Sequence, residues 1–302
     1  IRQNRDGLME GIASGFREPN GIGVFGPDKD IFVTDNQGHW TAACELNHLR
    51  SGRYFGRPSA TPDPQNLYNG RDNFTPPAVW FPYTLARSVS GMAEVLDDRF
   101  GPFKGQLLVG DFQNALVVRV FLETINGEYQ GAVFPFLNGF RSGVNRLSYG
   151  PDGRLYVGGL QRTWASIAPD PASFERVTFK GNTPFSILKT EAKTDGFLLT
   201  FTEPINPSAA TLDNFDVSQF RYAYHPDYGS PRFSHAGEKN SQTPIEITDV
   251  TLSANRLELR LSLNGWREGY VTQVRCYDVI SEAGKTLWND TFHYTLNQIP
   301  RP

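Results

Sequence analysis

The chain has 302 residues, a formal net charge of -3 and a sequence pI near 6.0, and 39% of its residues are hydrophobic. This length and composition can supply about two domains with buried cores. The weak negative charge gives no basic field for nucleic acid, and no apolar run approaches the roughly 18 residues of a membrane span. We therefore expect a globular protein without a nucleic-acid partner or a membrane-spanning helix.

The chain has two cysteines, Cys44 and Cys276, which lie in different halves of the sequence. So small a number at such a separation excludes a disulfide framework and a thiolate metal site. We expect both residues to be buried free thiols, because an isolated cysteine usually behaves as a small hydrophobic side chain.

Three segments in the first half of the chain share one pattern. Each opens with a small or amide residue, passes an apolar strand, turns on Pro-Asp or an Asp/Gly-rich link, and returns on a second apolar strand. The segments are NGIGVFGPDKDIFVTD (20–35), SGMAEVLDDRFGPFKGQLLVGD (90–111) and NRLSYGPDGRLYVGG (145–159). This pattern predicts three antiparallel hairpins, with a positive φ at Gly153 in the last turn. A further strand-like run follows each hairpin, and such a recurring unit is typical of a propeller blade.

The repeats are spaced more widely than ordinary blades. From Asn20 to Ser90 is 70 residues and from Ser90 to Asn145 is 55, whereas a blade typically takes about 40–45. Long loops such as 59–77 account for the excess and are typical of a binding face. Three blades cannot close a ring, because propellers have at least about four. We therefore expect the remaining blades to come from a longer precursor or from a second chain.

The sequence changes character after Gly181. Short alternating strands separated by turn signals follow, at the roughly 8–12 residue spacing of a sandwich. We predict an all-β protein with propeller blades at 1–181 and an immunoglobulin-like β-sandwich at 182–302. An aromatic, His-containing insert at 220–240 interrupts the rhythm. We expect a solvated loop there, the alternative being that it docks onto the propeller or contacts a ligand.

Polar residues precede or open each predicted innermost strand. In a propeller these strands start beside the central channel, so their side chains would face water or a ligand. They form three equivalent sets: Arg17, Glu18 and Asn20; Ser88 and Ser90; Asn145 and Arg146. The alternative is structural, with Arg17 paired to Glu18 and the asparagines bonding turn backbone. Asp35 and Asp111 end the second strands at matched positions, and we expect them to bond backbone N–H groups of the adjacent blade.

Aromatic residues on the predicted loops are candidates for stacking on a sugar ring at the channel mouth. The candidates for substrate binding are Trp40, Tyr83 and Trp164. Aromatic side chains more commonly anchor loops or fill cores, so that role remains the alternative.

Four stretches carry a family resemblance: GFREPNGIGV, IFVTDNQGHWTAACELNHLRSGRYFGRP, GPFKGQLLVGDFQNALVVRVFLE and VNRLSYGPDGRLYVGG. Together they resemble the C-terminal half of a six-bladed propeller of the pyrroloquinoline-quinone (PQQ) sugar dehydrogenase family. They look most like large bacterial proteins of the membrane-bound or sorbosone dehydrogenase type, which append an Ig-like domain. The resemblance implies PQQ and calcium as cofactors and a carbohydrate or small polyol as substrate.

The resemblance also implies roles for individual residues. Arg17 stands where the family contacts the quinone with an Arg-Asn pair, although Glu18 replaces the Asn. Gly38 and His39 stand where a Gly-Pro dipeptide offers backbone carbonyls to calcium, and carbonyl oxygens suit calcium whatever the side chain.

Other family positions depart further from the pattern. Gln113 stands where a Lys is usual. Gly143 and Asn145 replace two Arg, with Arg146 nearby. The candidate cofactor-binding set is therefore Arg17, Glu18, Asn20, Gln113, Asn145 and Arg146. The family's general base lies in an earlier blade, outside this chain.

Two functions follow from the sequence. The first is a secreted quinoprotein, extracellular or periplasmic, that oxidises a sugar or polyol with PQQ and calcium. The second is a non-catalytic propeller with an Ig-like module that binds glycan or protein within a larger extracellular assembly. The missing Lys and Arg positions favour the second, because a tricarboxylate needs charge-assisted partners.

Overall fold

Antiparallel β-sheets make up the fold, which a computed structural model describes for residues 2–58, 74–161 and 166–301. The predicted all-β class is confirmed. The helical segments of the described residues are three single 3-10 turns at Asp98–Phe100, Pro207–Ala209 and Leu212–Asn214. None of these turns has the length and apolar character needed to cross a membrane.

The first sheet contains the first predicted hairpin. A two-stranded ribbon precedes it, formed by β1 (Arg2–Gln3) and β2 (Met9–Glu10). The strands of the sheet are, in order across it, β3 (Pro19–Phe25), β4 (Asp30–Asp35), β5 (Cys44–His48) and β6 (Val79–Phe81). The hairpin of β3 and β4 turns at residues 26–29, which are the Gly-Pro-Asp-Lys link in the sequence.

The second and third units repeat this arrangement. The second has β7 (Val89–Glu94), β8 (Leu107–Asp111), β9 (Leu116–Ile125) and β10 (Glu128–Leu137). The third has β11 (Gly143–Tyr149), β12 (Leu155–Leu160) and β13 (Ala172–Val177). The turn between β11 and β12 holds Gly153 at φ 73°, which confirms the expected positive φ.

The innermost strands β3, β7 and β11 lie side by side. The hydroxyl of Thr34 donates to the carbonyl of Ser90 at 2.8 Å, and the hydroxyl of Ser90 donates to the carbonyl of Val144 at 2.8 Å. Gly21 permits this close approach, because a Cβ there would lie 2.1 Å from the Ser90 carbonyl oxygen. The three units are therefore neighbouring wedges, linked by hydrogen bonds from β4 to β7 and from β7 to β11.

The C-terminal region contains two facing sheets. Its strands are β14 (Ile187–Lys193), β15 (Gly196–Phe201), β16 (Phe215–Phe220), β17 (Thr243–Pro244), β18 (Glu246–Leu252), β19 (Glu258–Asn264), β20 (Tyr270–Cys276) and β21 (Thr291–Leu296). One sheet has the order β14-β15-β19-β18. The other has the order β17-β16-β20-β21 and continues through β10 into the whole second unit. One sheet thus runs across residue 181, and the predicted division there remains a prediction.

Apolar side chains from both C-terminal sheets form one core. Phe197 and Leu261 of the first sheet pack in the same cluster as Val274 and Phe292 of the second, and Phe134 of β10 joins them. The alternation of burial along β15 and β19 places one face of the first sheet inward, whereas β20 and β21 of the second sheet are buried along most of their length. Burial of this apolar area is what joins the second unit to the C-terminal region.

The junction between the second unit and β14 contains a fully buried cation, Arg119 of β9. Its guanidinium donates to Oε1 of Gln106 at 2.5 Å and to the carbonyls of Ile187 and Leu188 at 2.7 and 3.2 Å. It also lies over the rings of two phenylalanines, 4.5 and 4.1 Å from their centroids. Burial lowers the pKa of Arg119 to about 9. The carbonyl groups and ring faces compensate the charge inside the junction.

The two cysteines behave as predicted. Cys44 and Cys276 are both buried and free. Burial raises the pKa of Cys44 to about 12, so the thiol is protonated near neutral pH and is not a reactive nucleophile.

Candidate functional site

Each of the three units begins with an arginine just before its innermost strand. These residues are Arg17, Arg87 and Arg141. In the first unit the carboxylate of Asp35 accepts the backbone N–H groups of Arg17 and Glu18, both at 2.6 Å, and that of residue 36 at 3.0 Å. Asp35 thereby fixes the segment that carries Arg17 against the end of β4.

The second unit repeats this clamp with Asp111. Its carboxylate accepts the N–H groups of Arg87, Ser88 and Asn114, each at 2.6 Å. Burial raises the pKa of Asp111, and the three N–H bonds act in the opposite direction. The third unit has Gly159 at the matched position, and there the carboxylate of residue 175 accepts the N–H of residue 141 at 2.9 Å.

One detail of the predicted clamp is wrong. The N–H groups bonded by Asp35 and Asp111 belong to the same unit, not to the adjacent one. The reason is geometric, because each Asp ends a second strand that pairs with the innermost strand of its own hairpin. Its side chain therefore reaches the segment leading into that strand.

Two cavities open where the three leading segments meet. A cavity of about 290 Å³ is lined by Arg17, Glu18, Asn36, Gln37, Arg87, Ser88, Gln113 and Tyr228. A cavity of about 160 Å³ shares three of these residues and is lined by Glu18, Pro19, Asn20, Asn36, Ser88, Phe112 and Asn145. We call them the larger and the smaller axial cavity.

The structure brings most of the predicted cofactor-binding residues together. Arg17, Glu18, Asn20, Gln113 and Asn145 line one or both axial cavities. The sixth candidate, at position 146, lines neither cavity, but its Nη1 donates to Oδ1 of the residue at position 20 at 3.0 Å. The smaller cavity is therefore walled by side chains from all three units.

Charge is distributed unevenly around the larger cavity. The guanidinium of Arg17 forms an ion pair with Glu18 and lies 5.5 Å from the centroid of the Tyr228 ring. Arg87 lies 4.4 Å from the centroid of the Tyr83 ring, and its Nε donates to the Tyr83 carbonyl at 3.3 Å. No ion pair of Arg87 is present among the described residues. The wall thus has one direct ion pair, and one arginine whose charge interacts with Asp111 without a direct ion pair.

The insert at 220–240 docks onto the first unit, so the expectation of a solvated loop is wrong. The N–H of Trp40 donates to the carbonyl of His225 at 3.2 Å, and the N–H of Gly229 donates to the carbonyl of Gly38 at 3.0 Å. The Nδ1 of His39 lies 2.9 Å from the Pro226 carbonyl and donates to it. This backbone pairing between distant segments leaves no local pattern in the sequence. It places Tyr228 in the wall of the larger cavity.

One of the two carbonyl groups that the resemblance implies as calcium ligands, that of Gly38, already has hydrogen-bond partners. The Gly38 carbonyl oxygen already accepts the N–H groups of Thr41 and Gly229, at 3.2 and 3.0 Å. The His39 ring bonds the insert instead of facing a cavity. Within the described ranges there is also no group of three or more His, Cys, Asp or Glu residues that could hold a metal ion.

The three predicted aromatic candidates have different surroundings. Trp40 packs against Tyr224, with 4.8 Å between ring centroids, and lines neither axial cavity. Tyr83 is exposed and stacks on Arg87 beside the larger cavity. Trp164 lies outside the described residues. The aromatic residue that does line the larger cavity is Tyr228.

Four residues of the larger cavity were not predicted from the sequence: Asn36, Gln37, Arg87 and Tyr228. Arg87 had a detectable signal, because an arginine precedes the innermost strand in all three repeats, in GFRE, LARS and GFRS. Tyr228 had no such signal, since it belongs to the C-terminal region and reaches the cavity only through the docked insert.

The three units lie side by side around shared cavities, as consecutive propeller blades lie around an axis. The family model for Glucose / Sorbosone dehydrogenase matches residues 3–162, which is more than half of the chain. The chain belongs to this family.

Solved structures similar to this chain are sugar dehydrogenases. A putative oxidoreductase (glucose dehydrogenase) from Thermus thermophilus is 23% identical, with 57% of this chain and 48% of that chain covered and a TM-score of 0.41. The PQQ-bound aldose sugar dehydrogenase of Streptomyces coelicolor is 16% identical, with coverages of 55% and 45% and a TM-score of 0.38. The chain spans about half the length of these proteins. No match was found among curated proteins.

Proposed function

We propose that this chain is the carbohydrate-binding part of a sugar dehydrogenase-like propeller, with the ligand held in the axial cavities. Membership of the glucose/sorbosone dehydrogenase family supports a carbohydrate ligand. The observation that carries the proposal is the lining of the cavities. Amide side chains can both donate to and accept from sugar hydroxyls, and an exposed tyrosine ring offers an apolar face. The amides are Asn20, Asn36, Gln37, Gln113 and Asn145.

Further blades complete the propeller to six in this proposal, from a precursor or from a second chain. Apolar side chains on both outer faces of the three-unit array support it. Ile22 of β3 is 70% exposed and Phe174 of β13 is 78% exposed. Contiguous exposed apolar groups are typical of surfaces that pack against a partner.

The C-terminal region is an immunoglobulin-like unit in this proposal. Its strand order of β14-β15-β19-β18 in one sheet and β16-β20-β21 in the other supports this assignment. The same order, A-B-E-D and C-F-G, defines the immunoglobulin sandwich. An extracellular or periplasmic location is part of the same proposal, because such modules are common in cell-surface proteins.

A second candidate function is PQQ-dependent oxidation of the sugar. Family membership and the two arginines of the larger cavity favour it, since guanidinium groups bind carboxylates. The fit is incomplete, because PQQ carries three carboxylates, Glu18 neutralises Arg17, and the Gly38 carbonyl is occupied. We therefore derive no oxidation step from these residues, and the general base of such a reaction would lie outside this chain.

Saturation-transfer NMR of the purified protein with a panel of neutral monosaccharides and polyols tests the proposal. We expect transfer to at least one sugar, and Tyr228→Ala should abolish it because the ring face is removed. Tyr277→Ala is the matched control, since Tyr277 is exposed and lines neither axial cavity. Transfer that persists in Tyr228→Ala would move the binding site elsewhere. Micromolar binding of PQQ with calcium, and no sugar binding, would support the second candidate instead.

A further inference from the structure

The larger axial cavity contains a cation that no carboxylate of the described residues pairs with. The guanidinium of Arg87 is half-buried, stacked on Tyr83 and bonded through Nε to a backbone carbonyl. Its two terminal nitrogens have no protein acceptor among the described residues. A guanidinium presents its donors in a planar fork that matches a carboxylate. A cation held in this way in a cavity wall is a binding group for an anionic ligand.

The other charges around the cavity are already balanced. Glu18 neutralises Arg17 in a direct ion pair. The carboxylates of Asp35 and Asp111 lie behind the wall, and each is occupied by three backbone N–H groups. The cavity therefore offers one cation without a direct ion pair among the described residues, although its charge also interacts with Asp111 behind the wall. A ligand with one carboxylate matches this charge, whereas a ligand with three would leave two negative charges uncompensated.

Tyr228 provides the other half of the recognition surface. Its side chain is 61% exposed although the insert that carries it is docked by backbone hydrogen bonds at Gly38 and Trp40. The Arg17 guanidinium lies over the ring, 5.5 Å from its centroid, and the exposed part of the side chain is accessible to a ligand. The amides of Gln37 and Gln113 line the same cavity, and they supply hydrogen bonds suited to hydroxyl groups.

We propose that the larger axial cavity selects an acidic sugar with a single carboxylate, such as a uronic acid. The carboxylate binds Arg87, the ring packs on Tyr228, and the hydroxyls bond the cavity amides. This inference rests on the proposed carbohydrate-binding function and names its ligand class. It gives the C-terminal region a direct part in specificity, because Tyr228 comes from that region.

Isothermal titration of the purified protein with D-galacturonate and D-galactose tests the proposal. The two sugars differ only in the carboxylate at C6, so their affinity ratio measures its recognition. A charge-assisted contact predicts a preference of about tenfold or more for galacturonate. Arg87→Gln should remove this preference, so that galacturonate and galactose bind with similar affinity.

The matched control is Arg141→Gln. Arg141 occupies the same position in the third repeat, but it is exposed, pairs with Asp170 at 2.5 Å and lines neither axial cavity. We expect this variant to bind both sugars as the unmodified protein does, and the circular-dichroism melting curves of the two variants to show that both fold.

The outcomes separate the two proposals. Equal affinities for the two sugars, unaffected by Arg87→Gln, would overturn the acidic-sugar inference and leave carbohydrate binding standing. Absence of binding by either sugar would overturn the acidic-sugar inference, and absence of saturation transfer to the whole sugar panel would overturn carbohydrate binding itself. Binding of PQQ that is lost in Arg87→Gln, with no galacturonate binding, would assign Arg87 to the cofactor and would also overturn the inference.

Discussion

The larger axial cavity and the junction with the C-terminal region each contain an arginine, and the two guanidinium groups have opposite surroundings. At the junction, Arg119 is fully buried and held by carbonyl oxygens, an amide oxygen and two aromatic rings. In the larger axial cavity, Arg87 is half-buried and its terminal donors have no protein partner among the described residues. Burial alone therefore does not show what an arginine does. The presence of protein acceptors for the terminal guanidinium nitrogens separates a structural cation from one that is available to a ligand.

This difference has an energetic basis. A buried cation without partners costs several kcal/mol, so Arg119 must be compensated for the junction to form. Arg87 can remain uncompensated because the cavity lets water reach it until a ligand arrives.

The largest effect is expected from Arg119→Ala. The substitution removes the hydrogen bonds to the carbonyls of Ile187 and Leu188 and to Oε1 of Gln106, although Nε2 of Gln106 still donates to the Leu188 carbonyl, and it opens a void between aromatic rings. We expect a loss of about 3–5 kcal/mol in the free energy of unfolding, measured by urea denaturation. Arg154→Ala is the control, since its ion pair with Asp152 is at the surface, and such pairs contribute about 0–1 kcal/mol. Equal effects of the two changes would contradict the structural role of Arg119.

A smaller loss is expected from Asp111→Ala. Three backbone N–H groups lose their acceptor, including the one that fixes Arg87. We expect about 2–4 kcal/mol less stability, together with weaker galacturonate binding because the leading segment is no longer held. Urea denaturation and titration measure the two effects. Unchanged galacturonate affinity in a folded variant would show that the clamp does not position Arg87.

A pH-dependent effect is expected at Glu45, which is buried on β5 and paired in register with Asp35. Burial, and then the charge of Asp35, raise the pKa of Glu45 well above its ordinary value of 4.5. A raised pKa means that the folded state favours the protonated form. The stability linked to this carboxyl is therefore fully present below about pH 4.5 and is lost as the pH rises through the folded-state pKa.

Glu45→Gln tests this expectation, because the amide keeps an acceptor for Asn47, which donates to Glu45 at 3.1 Å. We expect the variant to be more stable than the unmodified protein at pH 7, and the difference to shrink as the pH falls towards 4.5. Unfolding by urea at a series of pH values measures it. A difference independent of pH would show that Glu45 does not titrate in this way.

The smallest effect is expected from Arg17→Ala. Removing Arg17 leaves Glu18 as an unpaired carboxylate beside the larger cavity. We expect galacturonate to bind about fivefold more weakly through charge repulsion of about 1 kcal/mol, with galactose unaffected. Glu18→Gln should have the opposite sign for galacturonate. Equal changes in the affinities for galacturonate and galactose would show that the effect of Arg17 on binding does not depend on charge.

The sequence predicted the parts of the fold that depend on local pattern. Hairpins, the positive φ of Gly153, and the polar residues around the axis follow from alternation, turn residues and repeat position. The contacts between distant segments were not predictable, because they depend on tertiary packing. The pairing of β10 with β21 and the docking of Tyr228 join residues far apart in the chain. The hydrogen bond to the Gly38 carbonyl was unpredictable for the same reason, since its donor Gly229 belongs to the insert.

A crystal structure of the protein soaked with D-galacturonate would show whether Arg87 in the larger axial cavity binds the carboxylate of an acidic sugar. The account predicts the sugar carboxylate within hydrogen-bond distance of the Arg87 guanidinium, the sugar ring against Tyr228, and Arg17 still paired with Glu18. A sugar bound outside the axial cavities, or bound there with its carboxylate away from Arg87, would contradict it.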